Sequence, residues 1–310
     1  MVSVPLTPVI AQVGADRIAE LVPDVEVLSV PMMGPVPDDA RAEILFGIPI
    51  WSPTIETLLG RGVKWFHLAG TGVDSLPEDV LRSFVVTSAR GVAAVPIAEF
   101  SMAAILSAAK KLPESWLDGP SPTPGYAELG EVNGQTLGIV GLGGIGTELA
   151  SRARAMGMRV LAVRRTSQPG PPGVVVRSSL EDMLPECDHV VLAAPATKHT
   201  RRMMNAESFK RCKPGMHLVN IARGTLVDHE ALLDALESGT ISRATLDVTD
   251  PEPLPAGHPL YAHPGARVSA HISWSSPLAV ERMTDQFIEN LRRYLRGEPL
   301  AGVVDPDEGY

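Results

Sequence analysis

The sequence predicts an α/β protein with two doubly wound domains, each built on a mainly parallel sheet, and a cleft between the domains. Short apolar runs alternate with segments of helical periodicity along the whole chain, as in sheets whose strands are joined by crossover helices. One apolar run leads through a glycine-rich turn into a helix-like segment at residues 137–155. The length of 310 residues allows about two domains with sizeable cores.

Composition and charge exclude several classes of protein. The net charge of -9 argues against a nucleic-acid partner, and no apolar run reaches the length of about 18 residues that marks a membrane span. The N-terminus lacks the basic region that precedes the apolar core of a signal peptide. Cys187 and Cys212 have no metal or redox spacing, and no His/Cys/Asp cluster has metal-ligand spacing. We therefore expect a cytoplasmic protein without a metal site, a nucleic-acid partner or a membrane anchor.

The first hundred residues predict a small α/β domain with five strands. Ser52 and Pro53 mark the start of a helix, because serine caps helices and proline suits the first helical position. After the fourth strand, the turn at residues 69–74 is either an anion-binding turn or an ordinary strand–helix connection, and the residues alone favour neither. The predicted strands are Pro8–Val13, Val25–Val30, Ile44–Ile48, Trp65–Ala69 and Val85–Ser88.

A long apolar helix, predicted over residues 96–112, carries the chain from the first domain to the second. Pro113 ends this helix, and a Pro/Gly-rich loop follows at residues 118–125. An amphipathic helix from Pro277 to about residue 296 returns the chain to the first domain. The predicted domains are residues 1–100 together with 275–310, and residues 101–274.

The second domain continues the alternation of strands and helices. Ser178 and Glu181 predict a capping box, and Asp228 predicts the cap of a helix that Gly239 ends. The strands predicted after the glycine-rich turn are Arg159–Val163, Val174–Val176, His189–Ala193, His217–Ile221, Ala244–Asp247 and Val268–His271.

The glycine-rich turn fits the G-x-G-x-x-G pattern of Rossmann-like dinucleotide-binding domains, with Gly141, Gly143 and Gly146. In that pattern the first glycine allows a tight turn, the second a close approach to a pyrophosphate, and the third the packing of helix on strand. The helix N-terminus then offers N–H groups and a positive dipole end to the phosphates. A purely structural turn is the alternative, which the flanking strand and helix disfavour.

The second strand of this domain ends in Arg164, Arg165 and Thr166, where NAD enzymes usually carry an acid that binds the ribose hydroxyl. Two guanidinium groups and a hydroxyl suit the 2′-phosphate of NADP(H), so we expect NADP(H), with NAD(H) as the second choice. The alternative is that both arginines stack on the adenine or face solvent.

Arg223, Glu252 and His271 follow three successive predicted strands, at the edge where ligands bind in open α/β sheets. A histidine exchanges protons near neutral pH, a neighbouring carboxylate orients its ring, and an arginine binds a carboxylate through paired hydrogen bonds. Taken singly, Arg223 could be a surface cation, Glu252 is better explained as a solvated turn residue, and His271 fits a core histidine as well as a catalytic one. Together, at successive strand ends of one sheet, the three favour a catalytic site. The remaining histidines are interpreted as structural or exposed: His67, His189, His199, His217, His229, His258 and His263.

Motifs in one order along the chain resemble those of the D-isomer-specific 2-hydroxyacid dehydrogenases. The matching segments are Gly138–Gly146, Pro195–Thr197, Lys213–Gly215, Val219–Gly224, Leu246–Pro253 and His271, with looser matches at Gly70–Asp74 and Pro96–Glu99. The resemblance implies a flavodoxin-like substrate domain that is split around an inserted cofactor domain. It also implies a homodimer that closes the cleft over its ligands.

The resemblance implies a role for each residue of the site. His271 is expected to be the acid/base, Glu252 its partner and Arg223 the substrate clamp. Backbone N–H groups of Ala69, Gly70 and Thr71 are expected to hold the substrate carboxylate, and Asp247 is expected to face the nicotinamide amide. The motifs and the resemblance together predict these cofactor-binding residues: Gly141, Gly143, Gly144, Ile145, Gly146, Arg164, Arg165, Thr166, Ala194, Pro195, Ala222 and Asp247.

The predicted reaction is the reversible reduction of a 2-oxo acid to a D-2-hydroxy acid with NAD(P)H, as in glyoxylate and hydroxypyruvate reductases. The alternative is a dinucleotide-sensing corepressor-like protein of the same fold, which we expect less because the chain carries no long tails for partner recruitment. Thr249, Asp250 and Trp274 differ from residues common in the family, so the side chain of the substrate stays open. Trp274 either shapes the substrate pocket or fills a domain interface.

Overall fold

The computed structural model describes residues 2–4, 8–31, 34–120 and 125–310, so residues 121–124 of the predicted Pro/Gly-rich loop lie outside the described residues. The chain divides into two compact units, Met1–Val92 with Ser275–Tyr310 and Ala93–Trp274. The first boundary therefore lies before the long helix, whereas the sequence predicts it inside that helix. The helix packs on the helix that follows the glycine-rich turn, which is why residues 93–100 belong to the second unit.

A five-stranded sheet forms the centre of the first unit. Its strands are Val2–Val4 (β1), Val27–Ser29 (β2), Ile44–Gly47 (β3), Trp65–Leu68 (β4) and Val85–Ser88 (β5). The helices of this unit are Pro8–Leu21 (α1), Pro53–Leu59 (α2), Glu78–Ser83 (α3) and Pro277–Leu295 (α10). All strand pairs are parallel in the order β2-β1-β3-β4-β5, which is the flavodoxin-like order.

The prediction of a strand at Pro8–Val13 is wrong, because these residues begin α1. A short apolar run has the same pattern in a buried strand and in a buried helix, and only its length separates the two. Here the helical pattern continues to Leu21, and the proline occupies the first helical position, where it is well tolerated. The prediction for α2 is confirmed, since the Ser52 hydroxyl accepts a hydrogen bond from the Ile55 N–H at 3.3 Å.

A seven-stranded parallel sheet forms the centre of the second unit. Its strands are Thr136–Val140 (β6), Arg159–Val163 (β7), Val174–Val176 (β8), His189–Leu192 (β9), Met216–Asn220 (β10), Ile241–Leu246 (β11) and Ala266–Val268 (β12). Its helices are Ala94–Lys110 (α4), Gly144–Ala155 (α5), Leu180–Met183 (α6), Ala206–Lys210 (α7), His229–Glu237 (α8) and Pro259–Ala262 (α9).

The strand order of the second sheet is β12-β11-β10-β9-β6-β7-β8. From β6, the strands β7 and β8 follow toward one side of the sheet, and β9, β10, β11 and β12 follow toward the other side, as in dinucleotide-binding folds. The direction of winding reverses between β6 and β9, and such a reversal opens a crevice at the carboxyl ends of the strands. The predicted α/β class with parallel sheets is confirmed for both units.

Two local predictions in the second unit need correction. The cap of α6 is Ser179, whose hydroxyl accepts from the Asp182 N–H, while Ser178 donates to the Asp182 carboxylate at 2.5 Å. The capping box was therefore placed one residue too early, because two adjacent serines match the same pattern. The last strand ends at Val268, so His271 lies in the loop after it rather than in the strand.

The central strands of the second sheet are covered on both faces, as expected for a parallel sheet. Every residue of β6, β9 and β10 is buried. In the first unit, Phe287 of α10 stacks on Phe46 of β3 with ring centroids 4.3 Å apart. Each sheet is thus a rigid support for the loops at its edges.

Candidate active site

The turn between β6 and α5 is built around glycine. Gly141 has a φ of 100°, a left-handed conformation that side chains other than glycine rarely adopt. A β-carbon at Gly141 would lie 2.7 Å from the Ala194 nitrogen, so the loop after β9 can only pass this close to a glycine. The turn and the loop at residues 193–194 thus lie together at the reversal of the strand order.

The N-terminus of α5 fits the pyrophosphate of a dinucleotide. Gly143 caps this helix with extended backbone, and apart from its two chain neighbours no described residue has an atom within 4 Å of the position where its β-carbon would be. The first turn of the helix carries no acidic side chain that would repel a phosphate. Backbone N–H groups of Gly143, Gly144 and Ile145 are therefore the groups that would hold the phosphates of a bound cofactor.

The loop after β7 carries the two arginines predicted at the adenosine end. The Arg164 guanidinium donates to the Gln168 side-chain oxygen at 3.1 Å and to the Pro169 carbonyl at 3.4 Å. Arg165 and Thr166 are exposed. No carboxylate follows β7 within this loop, because residues 164–168 read Arg-Arg-Thr-Ser-Gln.

His271 and Glu252 form a hydrogen-bonded pair. The ring Nδ1 of His271 lies 2.7 Å from Oε1 of Glu252, and the two side chains are 36% and 41% exposed. An ionised carboxylate only accepts hydrogen bonds, so Nδ1 carries the proton and Nε2 is the nitrogen that can exchange one. The second carboxylate oxygen of Glu252 accepts from the Thr249 N–H at 3.4 Å, which ties the acid to its own loop.

The backbone at His271 is held in an uncommon conformation. Its φ of 54° lies in the left-handed region, and its N–H donates to the main-chain carbonyl of Asp247 at 2.8 Å. Asp247 is 1% exposed, and its carboxylate accepts from the N–H groups of Ile272 and Ser273, each at 2.9 Å. The Ser269 hydroxyl donates to the same carboxylate at 2.6 Å. The sequence reasoning missed Ser269 and these bonds; the only signal for them was an acid directly after a buried strand.

Arg223 is positioned by a buried amide. Asn220, the last residue of β10, accepts from the Ala222 N–H at 3.1 Å and donates to the Arg223 carbonyl at 2.8 Å. The Arg223 guanidinium donates to the Ala222 carbonyl at 2.7 Å. The sequence reasoning assigned no role to Asn220, although a fully buried amide at a strand end has to bond to the loop that follows.

Gly224 brings the loops after β10 and β11 into contact. A β-carbon at Gly224 would overlap the carbonyl carbon of Thr249, so only glycine lets the two loops pack this closely. Because β10, β11 and β12 are neighbouring parallel strands, Arg223, Glu252 and His271 lie at one edge of the sheet. The glycine turn after β6 lies at the same edge. This arrangement joins a nucleotide-binding turn to an acid/base pair and a guanidinium.

Comparison with known proteins agrees with this geometry. A sequence model described as "D-isomer specific 2-hydroxyacid dehydrogenase, NAD binding domain" matches residues 102–273, which is more than half of the chain. The chain belongs to this family. It is therefore an oxidoreductase of the pyridine-nucleotide-dependent 2-hydroxyacid dehydrogenase class, as the motifs predicted.

Relatives of this dehydrogenase cover most of its length. A glyoxylate reductase from Thermofilum pendens is 32% identical over 267 residues, which are 83% of this chain and 76% of the relative. A structure from Thermus thermophilus is 34% identical with a TM-score of 0.81, covering 98% of this chain and 99% of the other. A D-isomer specific 2-hydroxyacid dehydrogenase from Xanthobacter autotrophicus Py2, in complex with NADPH and MES, is 27% identical with a TM-score of 0.82, covering 100% and 99%.

Three histidines of the dehydrogenase are buried in its sheets, as expected for structural residues. Burial lowers the pKa of His67 and of His217 to about 3, and that of His189 to about 4. His189 and His217 contact each other through Nδ1 atoms 3.3 Å apart, and their outer nitrogens bond to Gln135 and Thr245. A cavity of about 190 Å³ borders this pair at the amino edge of the second sheet, the edge opposite the acid/base pair.

No helix within the described ranges combines the length and apolar character that a bilayer crossing requires.

Proposed function

We propose that the dehydrogenase transfers a hydride between NAD(P)H and a small 2-oxo acid, with His271 as the acid/base. The observation that carries this proposal is the 2.7 Å bond between His271 and Glu252 at the sheet edge that also holds the glycine turn. A histidine with an ordered carboxylate partner is the pattern of a general acid/base group.

The proposed mechanism divides the work between three side chains. Bound NAD(P)H supplies the hydride, which the protein itself cannot provide. Protonated His271 gives a proton from Nε2 to the carbonyl oxygen of the 2-oxo acid as that carbon is reduced. Glu252 fixes the ring through Nδ1 and compensates its positive charge. Arg223 binds the developing alkoxide and the substrate carboxylate through its guanidinium.

The proposal also assigns the substrate carboxylate to the turn after β4. Backbone N–H groups of Gly70 and Thr71 would bind it, as the resemblance implies. The prediction for Ala69 is wrong, because its N–H donates to the Gly47 carbonyl at 2.7 Å and so continues the pairing of β3 with β4. The turn is an ordered one, which supports this role: the Gly70 carbonyl accepts from the Ala89 N–H at 3.0 Å, and the Thr71 hydroxyl donates to the Ala89 carbonyl at 3.4 Å.

For the cofactor we propose NADP(H) in preference to NAD(H). The support is the pair of arginines and the missing acid after β7, together with the NADPH complex of the Xanthobacter autotrophicus relative. Arg165 and Thr166 are the exposed groups that would meet the 2′-phosphate. Ala194, Pro195 and Ala222 are proposed to line the nicotinamide half of the cofactor.

We further propose a homodimer in the cytoplasm and small substrates such as glyoxylate and hydroxypyruvate. The name of the Thermofilum pendens relative supports glyoxylate as the first substrate to test. Both cysteines of the chain are buried and free, which supports a reducing compartment.

The test is NADPH oxidation with a panel of glyoxylate, hydroxypyruvate and larger 2-oxo acids. We expect oxidation with at least one acid, and a loss of about 100-fold or more of kcat in His271→Ala with NADPH affinity unchanged. The matched control is His263→Ala, which changes a histidine on the turn before β12, at the strand's other end. Wild-type turnover in His271→Ala would remove His271 from the mechanism, and inactivity with every acid would favour the dinucleotide-sensing alternative.

A further inference from the structure

The loop that carries Glu252 is poor in main-chain donors. It runs from Val248 to Leu254, which are both buried, and the four residues from Asp250 to Pro253 are exposed. Two of these four are prolines, which have no N–H to donate. This exposed stretch therefore cannot hold itself in place by a regular set of main-chain hydrogen bonds, and the position of Glu252 depends on bonds from its neighbours.

Thr249 bonds to the exposed stretch in two ways. Its N–H donates to Oε2 of Glu252 at 3.4 Å, the carboxylate oxygen that does not face His271. Its hydroxyl donates to the carbonyl of Pro251, the residue directly before Glu252, at 2.9 Å. One bond acts on the carboxylate and the other on the backbone that carries it, so Glu252 is held at both ends of its side chain.

Thr249 is itself a fixed point of the fold. It is 8% exposed, and it follows Val248, which is fully buried. The peptide between Thr249 and Asp250 lies directly against Gly224, because a β-carbon at Gly224 would overlap both the Thr249 carbonyl and the Asp250 nitrogen. Thr249 thus joins the exposed stretch to a rigid part of the sheet edge.

We propose that Thr249 is a positioning residue that keeps the Glu252 carboxylate turned toward His271. This proposal rests on the proposed function, in which Glu252 orients the His271 ring. A threonine suits the position because its hydroxyl donates to a nearby main-chain carbonyl while its methyl group packs in a buried place. A glutamate side chain has several rotatable bonds, so an untethered Glu252 would spend less of its time against the ring.

Thr249→Val removes the hydroxyl and keeps the shape of the side chain. The Pro251 carbonyl then turns to solvent, and the backbone before Glu252 loses its tie. One net hydrogen bond shifts an equilibrium by roughly 3- to 10-fold, so we expect kcat to fall by about that factor. The KM for the 2-oxo acid and the Kd for NADPH should stay within about twofold, because Thr249 is proposed to act through Glu252.

Two variants separate the hydroxyl from the packing of the side chain. Thr249→Ser keeps the hydroxyl and should retain at least about half of the wild-type kcat; a loss as large as that of Thr249→Val would assign the effect to the methyl group and overturn the proposal. Thr284→Val is the matched control and should keep wild-type kcat. It removes a buried hydroxyl that donates to a main-chain carbonyl, that of Val280 at 3.1 Å, on α10.

A double-mutant cycle with Glu252→Ala tests whether Thr249 acts through Glu252. In a chain without the carboxylate, Thr249→Val has nothing to displace, so we expect it to change the kcat of Glu252→Ala by less than about 1.5-fold. An equal loss in the presence and absence of Glu252 would overturn the proposal, because Thr249 would then act independently of that carboxylate.

The readout that does not depend on turnover is the tautomer of His271, measured by NMR on ¹⁵N-histidine-labelled protein and assigned with His271→Ala. In the wild type the neutral ring should carry its proton on Nδ1, where Glu252 accepts it. In Thr249→Val part of the rings should take the Nε2–H form that free histidine prefers, whereas Thr249→Ser and Thr284→Val should keep the wild-type signal. If no 2-oxo acid is reduced but the tautomer shifts in this pattern, the positioning role stands and the proposed function fails.

Two results would refute the positioning role. One is an unchanged tautomer in Thr249→Val, and the other is a shifted tautomer with wild-type kcat in an active enzyme. If Thr249→Val does not fold, Thr249→Ala, which also lacks the hydroxyl, takes its place in the cycle and in the NMR measurement, with the same expected and contrary results.

Discussion

Replacing Glu252 by glutamine tests the electrostatic part of the site while keeping its shape. In the structure the Glu252 carboxylate accepts from His271 Nδ1 at 2.7 Å, and a glutamine oxygen can accept the same bond. The variant therefore preserves the orientation of the ring and removes only the negative charge beside it. In the variant, the charged ring that donates the proton from Nε2 is no longer stabilised by a carboxylate.

The size of the effect follows from the exposure of the pair. A hydrogen bond to a charged group contributes about 1.5–3 kcal/mol to stability. The His271 and Glu252 side chains are 36% and 41% exposed, so solvent screens the pair and its contribution lies at the lower end of that range, about 1.5–2 kcal/mol. Each 1.36 kcal/mol corresponds to about tenfold in rate. We therefore expect Glu252→Gln to lower kcat by about 10- to 30-fold and to leave the Kd for NADPH unchanged.

The assay is NADPH oxidation under saturating substrate, with NADPH binding followed separately by its fluorescence. Glu237→Gln, an exposed position at the end of α8, is the matched control and should keep wild-type kcat. A kcat of Glu252→Gln within about twofold of the wild type would refute the reasoning, because the carboxylate would then contribute nothing to the charged ring.

Three further predictions address packing, pH and the cofactor. Gly224→Ala should lower the Tm by about 5 °C and reduce kcat, because the added β-carbon overlaps the Thr249 backbone. The measurement is thermal unfolding. The control is Gly119→Ala, which changes an exposed glycine with open space around it in the described part of the chain. Burial lowers the pKa of His67 from 6.5 to about 3. Between pH 7 and pH 5 this histidine therefore becomes protonated in the unfolded chain but stays neutral in the folded one. Its contribution should lower the free energy of unfolding by about 2 kcal/mol over that range. Equal urea midpoints at the two pH values would contradict that assignment. Arg165→Ala should raise the KM for NADPH by about tenfold without changing the KM for NADH, and an equal change in both constants would place Arg165 away from the 2′-phosphate.

Glycine and strand-end positions carried most of what the sequence could predict about the site. Gly141 and Gly146 predict a sharp turn. The left-handed backbone of Gly141 and the close contact of Gly146 with the Gly141 carbonyl exclude other residues, and this requirement is local. His271 and Glu252 could be paired in advance because parallel strands end at one edge, whatever the loops do.

Longer-range contacts explain what the sequence could not predict. The strand predicted over Val268–His271 ends earlier because Asp247, more than twenty positions away in the chain, bonds to the loop instead. The role of Asn220 depends in the same way on a fold that brings its amide against the next loop. At Pro8–Val13 the error was different, because helix and strand share the pattern of a short apolar run.

The most direct test of the central claim follows the hydride itself. NADPH carrying deuterium on the transferable C4 position is mixed with the dehydrogenase and the best 2-oxo acid of the panel, and the product is examined by NMR. The account predicts deuterium on C2 of a D-2-hydroxy acid, formed by the wild type and reduced to a trace in His271→Ala. Product without deuterium, or equal amounts of labelled product from both proteins, would contradict it.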